Sequence, residues 1–347
     1  PKADAQGRFS PDGKQIAFLS SRDGAPQIFL LDLDGGEPRR VTNLSQGVAS
    51  FKWVGPGRFL AITDVHPSCV GADFDACTKK KAAENDGSVR VYDKLFVRHW
   101  DTWEDGLRSH AVLIDAKTGA ATDLTPGDAD VPPYAGPGDY DVSPDGAEIA
   151  FGRNDDKDES SSTNADLFVV STAGGTAKKI SNSPGFDGLP VYSPDGSMIA
   201  YHAQMRAGFE ADRFRLMVYD RKTGAVRNLT EAFDRNIDEI AWSKDSKTIY
   251  ATVTDGTQSP LYAIPAAGGA PKKVADGHLT QLSLSADGAK AVAQMLSEQA
   301  RPTAIQAVND LVAMGAANLL LDQGCRIPQV LSVVGFGNIT ASEFFRV

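Results

Sequence analysis

The chain of 347 residues has no long apolar segment and only a few cysteines and histidines. No run approaches the roughly 18–20 apolar residues that a membrane-spanning helix needs, so no span is predicted. Asp and Glu outnumber Lys and Arg by 45 to 35, and the net charge of −10 argues against binding nucleic acid or an anionic membrane through the overall field. The apolar fraction of 41% and the charged fraction of 23% are those of a folded globular protein, which excludes wholesale disorder.

The chain has three cysteines, and two of them lie close together. Cys69 and Cys77 stand in a polar segment, residues 66–80, whereas Cys325 lies far along the chain. Because there is no second cysteine pair, the pattern argues against a zinc site. The alternatives are a disulfide that closes a short loop, which implies an oxidising compartment, and two free thiols. The chain opens at Pro1 without a signal peptide, so it is either cytosolic or has lost a leader.

A turn signal recurs along the first 290 residues. The tetrapeptide SPDG and its variants SKDS, SADG and VGPG stand at 10–13, 54–57, 143–146, 193–196, 243–246 and 285–288. In this motif the proline sets φ, the aspartate caps the turn and the glycine accepts a positive φ. We therefore interpret the repeated aspartates at 12, 145, 195, 245 and 287 as turn caps rather than metal ligands.

The segments between the turns also repeat. Each turn is followed by an apolar strand, a polar loop, a second strand, a glycine turn and a short third strand, and an apolar residue precedes it. A repeat of about 40–50 residues with four strands is typical of a β-propeller. The sequence thus predicts an all-β fold with five complete four-stranded blades, starting near residues 9, 51, 140, 190 and 240, and a partial sixth near 282.

The pattern changes near residue 298. Ala304–Val308 and Leu331–Phe336 are apolar strands, and a helix is predicted from Leu311 to Gln323, with Asp310 as its cap and Gly324 as its stop. This is a β-α-β unit of a parallel sheet. We therefore predict an incomplete propeller over residues 1–297 and a β-α-β segment over residues 298–347.

Two strings point to a family. The second blade is interrupted by the string YDKLFVRHWDTWEDGLRSH at 92–110, and the fourth blade by the string RAGFEADRF at 206–214. Together with the SPDG repeat they resemble the dipeptidyl-peptidase V and acylaminoacyl-peptidase branch of the prolyl-oligopeptidase family of serine peptidases, over residues 1–297. The repeat alone also resembles the TolB-type propeller. The resemblance implies a propeller of about seven blades followed by an α/β-hydrolase domain. The cysteine-bearing insert resembles that of secreted bacterial members, which implies a periplasmic or secreted protein.

The resemblance places catalysis outside the propeller, because the family's serine stands in a G-x-S-x-G elbow of the hydrolase domain. The sequence contains no G-x-S-x-G, and its five histidines all lie within the repeats. The expected function is therefore a non-catalytic propeller that gates or binds short peptides, or docks the missing hydrolase domain, without a cofactor or a metal. The alternatives are a TolB-like protein-interaction propeller and a sugar-responsive transcriptional regulator.

The fourth-blade string supplies the first candidate binding residues. Glu210 could hold the N-terminal amine of a peptide, and Arg206 a carbonyl or carboxylate group. The alternative is a structural ion network that includes Asp212 and Arg213.

The second-blade string supplies the other candidates. Arg98, Trp100 and Trp103 combine aromatic rings with a charge, so they could face the missing hydrolase domain or line an entry path. The alternative is that this insert simply packs onto its blade. The acidic run at residues 155–162 is interpreted as a solvated loop, with weak calcium binding as the alternative.

Residues 301–347 resemble a different family. The runs NDLVAMGAANLL, GCRIPQ and LSVVGF are similar to the effector-binding domain of the lac/galactose repressor family. There the resemblance places Asn309 and Asp310 at a sugar cleft, but Gly337 stands where a sugar-binding aspartate is common. The two resemblances together suggest a chimera.

Overall fold

The computed structural model describes residues 3–84, 89, 91–92, 95–99, 102–133, 138–157, 159–279 and 282, and the strand segments 304–306 and 332–334. The chain forms two compact units, residues 1–232 and 233–347. The predicted boundary near residue 297, the partial sixth blade and the helix at 311–323 lie outside the described residues and stay predictions.

The first unit contains four antiparallel sheets of four strands, which are blades one to four. Blade one comprises β1 (Asp4–Phe9), β2 (Gln15–Ser20), β3 (Gln27–Asp32) and β4 (Arg39–Arg40). Blade two begins with β5 (Ser50–Val54), a 3-10 turn (Gly55–Gly57) and β6 (Arg58–Val65). It continues through an insert that contains α1 (Phe74–Glu84), β7 (Arg98–His99) and β8 (Thr102–Trp103), and ends with β9 (Arg108–Asp115) and β10 (Ala121–Asp123).

Blades three and four repeat the same order without a long insert. Blade three comprises β11 (Tyr140–Val142), β12 (Glu148–Arg153), a 3-10 turn (Glu159–Ser161), β13 (Asp166–Ser171) and β14 (Lys178–Lys179). Blade four comprises β15 (Asp187–Tyr192), β16 (Met198–Ala203), β17 (Arg215–Asp220) and β18 (Val226–Asn228).

The second unit contains blade five and one parallel strand pair. Blade five comprises β19 (Asn236–Trp242), β20 (Thr248–Thr254), β21 (Leu261–Pro265) and β22 (Lys272–Ala275), and the parallel pair comprises β23 (Ala304–Gln306) and β24 (Ser332–Val334). The five four-stranded sheets confirm the predicted all-β fold class.

The repeated Ser-Asp turn forms by the chemistry that its sequence predicts. In blade one the Ser10 hydroxyl donates to Asp12 at 2.6 Å and accepts the N–H of Gln15 at 2.9 Å. The serine and aspartate are also bonded at 143 and 145, 193 and 195, and 243 and 245. The Ser10 hydroxyl holds the pKa of Asp12 below its usual value. Each turn is thus specified locally, and Asp287 lies outside the described residues.

Each blade has two different ends. The turns between the first and second strands and between the third and fourth strands lie at one end, which we call the turn end. The connections between the second and third strands lie at the opposite end, which we call the loop end. Residues 66–107 and 204–214 are such connections, so the two strings that carry the candidate residues belong to the loop ends of their blades.

The core of the first unit lies between successive blades. The first strands of neighbouring blades are adjacent in chain order: β1 packs beside β5, β5 beside β11 and β11 beside β15. Phe59, Ile114, Phe151 and Leu167 are fully buried between these sheets. This burial of both faces explains the near-continuous apolar runs of the second and third strands.

The outermost strands of blades one and three are short and cationic. Arg39–Arg40 form β4, Lys178–Lys179 form β14, and all four side chains are exposed. An open strand edge is a template for pairing with another chain, and short length and positive charge oppose such pairing.

Candidate functional site

The insert of blade two is fixed to the body of the first unit. Cys69 and Cys77 are joined by a disulfide, with their Cα atoms 5.6 Å apart. Phe74 at the start of α1 is buried in the core between blades one and two, and the carboxylate of Asp75 accepts the N–H of Ser45 at 2.8 Å. Helix α1 was not predicted from the sequence, although the helix-forming run from Thr78 to Glu84 could have indicated it.

Beyond α1 the insert forms an exposed hairpin. Arg98 on β7 lies opposite Trp103 on β8, and the Trp103 side chain is 52% exposed. The Tyr92 ring stacks on Trp103 with 6.3 Å between centroids, and its hydroxyl donates to the backbone oxygen of Glu104 at 2.9 Å. Arg98 and Trp103 therefore share one hairpin surface, whereas Trp100 lies outside the described residues.

The fourth-blade loop is organised by Gln204 and Asp212. The buried Gln204 side-chain amide donates to the backbone oxygens of Glu210 and Asp212, each at 2.8 Å. The Asp212 carboxylate accepts the N–H of Met205 at 2.7 Å and pairs with Arg215 at 3.2 Å. Burial acts to raise the pKa of Asp212, but the backbone N–H bonds and Arg215 outweigh it and hold that pKa below its usual value.

Arg206 and Glu210 extend from this loop and are exposed. The Arg206 guanidinium lies over the Phe209 ring, 4.1 Å from its centroid. A structural ion network includes Asp212, as the alternative interpretation predicts, and the cation that pairs with Asp212 is Arg215. The Arg213 side chain donates to the backbone oxygen of Glu231 at 3.0 Å. The two pairs of candidate residues thus belong to separate connections, on blades two and four.

Arg108, at the end of the blade-two insert, pairs with two other connections at the loop end, and it was not predicted as a site residue. Its guanidinium pairs with Asp128 at 3.0 Å, Asp130 at 2.9 Å and Glu159 at 3.2 Å, and only 13% of its side chain is exposed. Burial acts to lower the pKa of Arg108, but the three carboxylates overcome it and raise that pKa. Arg108 is the last arginine of the second-blade string. The sequence therefore indicates the string that contains Arg108, but not the ion pairs that this residue forms.

A polar cavity of about 680 Å³ lies beside Arg108. Its walls come from residues 125–129, which follow blade two, and from residues 153–157 and 159–160 of blade three. Within the acidic run, Asp155 pairs with Arg153 at 2.5 Å and Glu159 with Arg108, so these carboxylates are occupied by arginines.

Acidic groups near Arg108 have raised pKa values. Asp64, at the end of β6, is reachable by solvent yet closely surrounded by protein atoms, as in the wall of a cleft. This crowding, with the charges of Asp105 and Asp130, raises the pKa of Asp64 to about 6. Burial and Asp130 also raise the pKa of Glu104. Carboxyl groups with raised pKa values in a cleft are typical of binding sites and of structural ion networks.

His110 fixes one wall of the same cavity. This buried side chain places Nδ1 2.8 Å from the carboxylate of Asp123 and Nε2 3.1 Å from the backbone oxygen of Gly127. Both ring nitrogens therefore have a polar partner, and the side chain connects Gly127 to Asp123.

Among the described residues, no group of three His, Cys, Asp or Glu side chains is placed to hold a metal ion. No described helix is long and apolar enough to cross a membrane.

Four-stranded antiparallel sheets that follow one another along the chain define this protein as a β-propeller. Solved structures agree with this fold. The acylaminoacyl peptidase of Pyrococcus horikoshii has a TM-score of 0.56 at 18% identity, and the match covers 79% of this chain and 39% of that one. A prolyl endopeptidase structure has a TM-score of 0.54 at 13% identity, with 82% and 37% covered.

Curated relatives are similar to most of the chain. Dipeptidyl-peptidase 5 of Porphyromonas gingivalis is 31% identical over 276 residues, which cover 77% of this chain and 39% of that protein. Dipeptidyl-peptidase 5 of Trichophyton schoenleinii is 32% identical over 287 residues, with 74% and 39% covered. Over about three quarters of its length, the chain is thus homologous to dipeptidyl-peptidase 5 of the prolyl-oligopeptidase family. It spans about two fifths of the length of these relatives, the part that holds their N-terminal propeller.

The C-terminal part matches another family. Residues 261–347 match the model of the periplasmic binding protein-like domain. The match agrees with the separate resemblance predicted for residues 301–347. It also includes β21 and β22, which are hydrogen-bonded into blade five. The first part of the matched segment is therefore structurally a propeller blade.

Proposed function

We propose that the chain is a non-catalytic propeller that binds short peptides at its loop end and gates their access to a serine-peptidase domain. Homology to dipeptidyl-peptidase 5 over only about two fifths of the relatives' length is the observation that carries this proposal. The disulfide between Cys69 and Cys77 supports a periplasmic or secreted location, because such bonds persist in oxidising compartments.

The exposed side chains of the loop end support peptide binding. Glu210 offers a carboxylate to an N-terminal amine, and Arg206 offers a guanidinium to a carbonyl or carboxylate. Trp103 and Arg98 offer an aromatic and a cationic surface on the neighbouring hairpin. Their backbones are held by Gln204, Asp212 and the insert, so little ordering is needed when a peptide binds.

The peptide-binding proposal is tested by titrating the full chain with a fluorescent tetrapeptide. We expect the peptide with a free N-terminus to bind about tenfold more tightly than its N-acetylated form, because acetylation removes the charge that pairs with Glu210. Glu210→Gln should abolish this difference, whereas Glu37→Gln, an exposed turn-end control, should keep it. Equal binding of both peptides by the unmodified chain would show that Glu210 has no such role.

The non-catalytic part of the proposal has its own test. We expect no turnover of dipeptidyl or acylaminoacyl chromogenic substrates and no labelling by a serine-directed fluorophosphonate. Turnover that the fluorophosphonate blocks would contradict it.

A further inference from the structure

A second cavity opens at the turn end, between blades three and four. Its volume is about 390 Å³, and its wall contains Lys178, Arg221, Lys222, Tyr219 and the carboxylate of Glu148. Three cationic side chains and one carboxylate thus face this cavity, although the chain as a whole carries a net charge of −10. The local charge is therefore opposite in sign to that of the protein.

The one carboxylate is already occupied. Glu148 Oε1 pairs with Arg221 at 3.1 Å and accepts the hydroxyl of Tyr192 at 2.8 Å. Arg221 also donates to the backbone oxygen of Gly196 at 2.5 Å and lies 5.2 Å from the centroid of the Tyr192 ring. Glu148 and Arg221 neutralise each other, so the two lysines supply the net charge.

Tyr219 adds an oriented donor. This residue is 5% exposed, and Lys178 Nζ donates to its hydroxyl oxygen at 3.4 Å. Because an ammonium group can only donate, the phenolic proton of Tyr219 is left to donate to another atom. The cavity therefore combines hydrogen-bond donors with a net positive charge.

We propose that this turn-end cavity binds a small oxyanion with two negative charges, either a phosphate group or a pair of neighbouring carboxylates. Such a ligand would accept from Tyr219 and pair with Lys178 and Lys222, and its size suits the available volume. The ligand could be a free anion or the acidic end of a peptide, since both present the same group. This site is independent of the proposed peptide site, because it lies at the opposite end of the blades.

The test is calorimetric titration of the full chain at low ionic strength with inorganic phosphate, with citrate and with a peptide that ends in two glutamates. We expect saturable binding of one equivalent, about tenfold weaker in Tyr219→Phe, which keeps the ring but loses the proton. Lys178→Gln with Lys222→Gln should weaken binding more strongly. Tighter binding of the peptide than of citrate would identify a peptide end as the ligand, and the reverse a free anion.

A matched variant separates a site from the overall field. Lys14→Gln with Lys244→Gln removes the same charge from the turns of blades one and five, and should leave binding unchanged. Equal weakening by the two double variants, or no saturable binding of any probe up to about 20 mM, would overturn the proposal. Thermal unfolding of each variant shows that the fold is retained.

Discussion

Gly119, in the turn between β9 and β10, lies against the backbone carbonyl oxygen of Val41, just beyond β4. A Cβ atom built on Gly119 would overlap that oxygen. Gly224 occupies the same turn of blade four with nearly the same φ, 75° against 74°, but a Cβ atom there would have no neighbour within 4 Å. The two turns thus share a backbone shape and differ in what they touch.

Gly119→Ala is expected to destabilise the protein more than Gly224→Ala. Each alanine costs about 1 kcal/mol because its φ is positive. Gly119→Ala adds about 1–3 kcal/mol, because the turn must move away from Val41. Thermal or urea unfolding of the two variants measures the difference. Equal losses would mean that blades one and two separate easily at this point.

Asp187→Asn is expected to change how stability depends on pH. Burial raises the pKa of Asp187 to about 6, and one carboxylate oxygen has no hydrogen-bond partner among the described residues. The folded pKa lies above the unfolded value, so the contribution of Asp187 to stability is present at acidic pH and is lost as pH rises from about 4 to about 6. The variant should be more stable than the parent above pH 6, by at most about 3 kcal/mol.

Asp145→Asn is the matched control for that experiment. The Ser143 hydroxyl and a backbone N–H lower the pKa of Asp145, so its ionised form contributes stability above the unfolded pKa and loses it in acid. Its substitution should therefore destabilise the protein at neutral pH. Melting temperatures between pH 4 and pH 8 should move in opposite directions for the two variants. A shift of the same sign in both would refute the assignment for Asp187.

Removal of the disulfide is expected to loosen the insert. Cys69→Ser with Cys77→Ser reopens a short loop, at a cost of about 2–3 kcal/mol in the chain-entropy description. A reductant should lower the melting temperature of the parent but leave the double variant unaffected. Intact mass after denaturation should rise by about 2 Da on reduction in the parent. An unchanged mass would show that the two thiols are free.

Arg108→Gln is expected to destabilise the loop end. It leaves the carboxylates of Asp128, Asp130 and Glu159 near one another without their shared cation, at a cost of about 2 kcal/mol or more. Lys81→Gln breaks an exposed ion pair with Glu84, which solvent screens, and should change stability far less. Thermal unfolding of both variants gives the comparison. Similar small effects would mean that solvent screens the Arg108 group.

The blades could be predicted from the sequence because their determinants are local. Ser193, Asp195 and the glycine that follows form a turn from their own hydrogen bonds, and the flanking apolar runs require a sheet on each side.

The candidate site could be predicted only in part because it depends on distant contacts. Arg206 and Glu210 were identified from a sequence motif. Arg108 acquires its role from Asp128, Asp130 and Glu159, which come from two separate connections. The docking of α1 likewise requires Phe74 to enter a core made by two blades. The periodicity of the sequence does not show which distant residues contact one another.

The ladder between β6 and β9 pairs eight residues on each strand without a break, from Arg58 with Asp115 to Val65 with Arg108. Residues 66–107 leave this ladder and return to it without altering its register. The entropic cost of such an excursion grows only slowly with its length. For protein engineering, blade two is therefore a natural acceptor for grafted epitopes or sensor peptides, presented at the loop end while the blade itself stays intact.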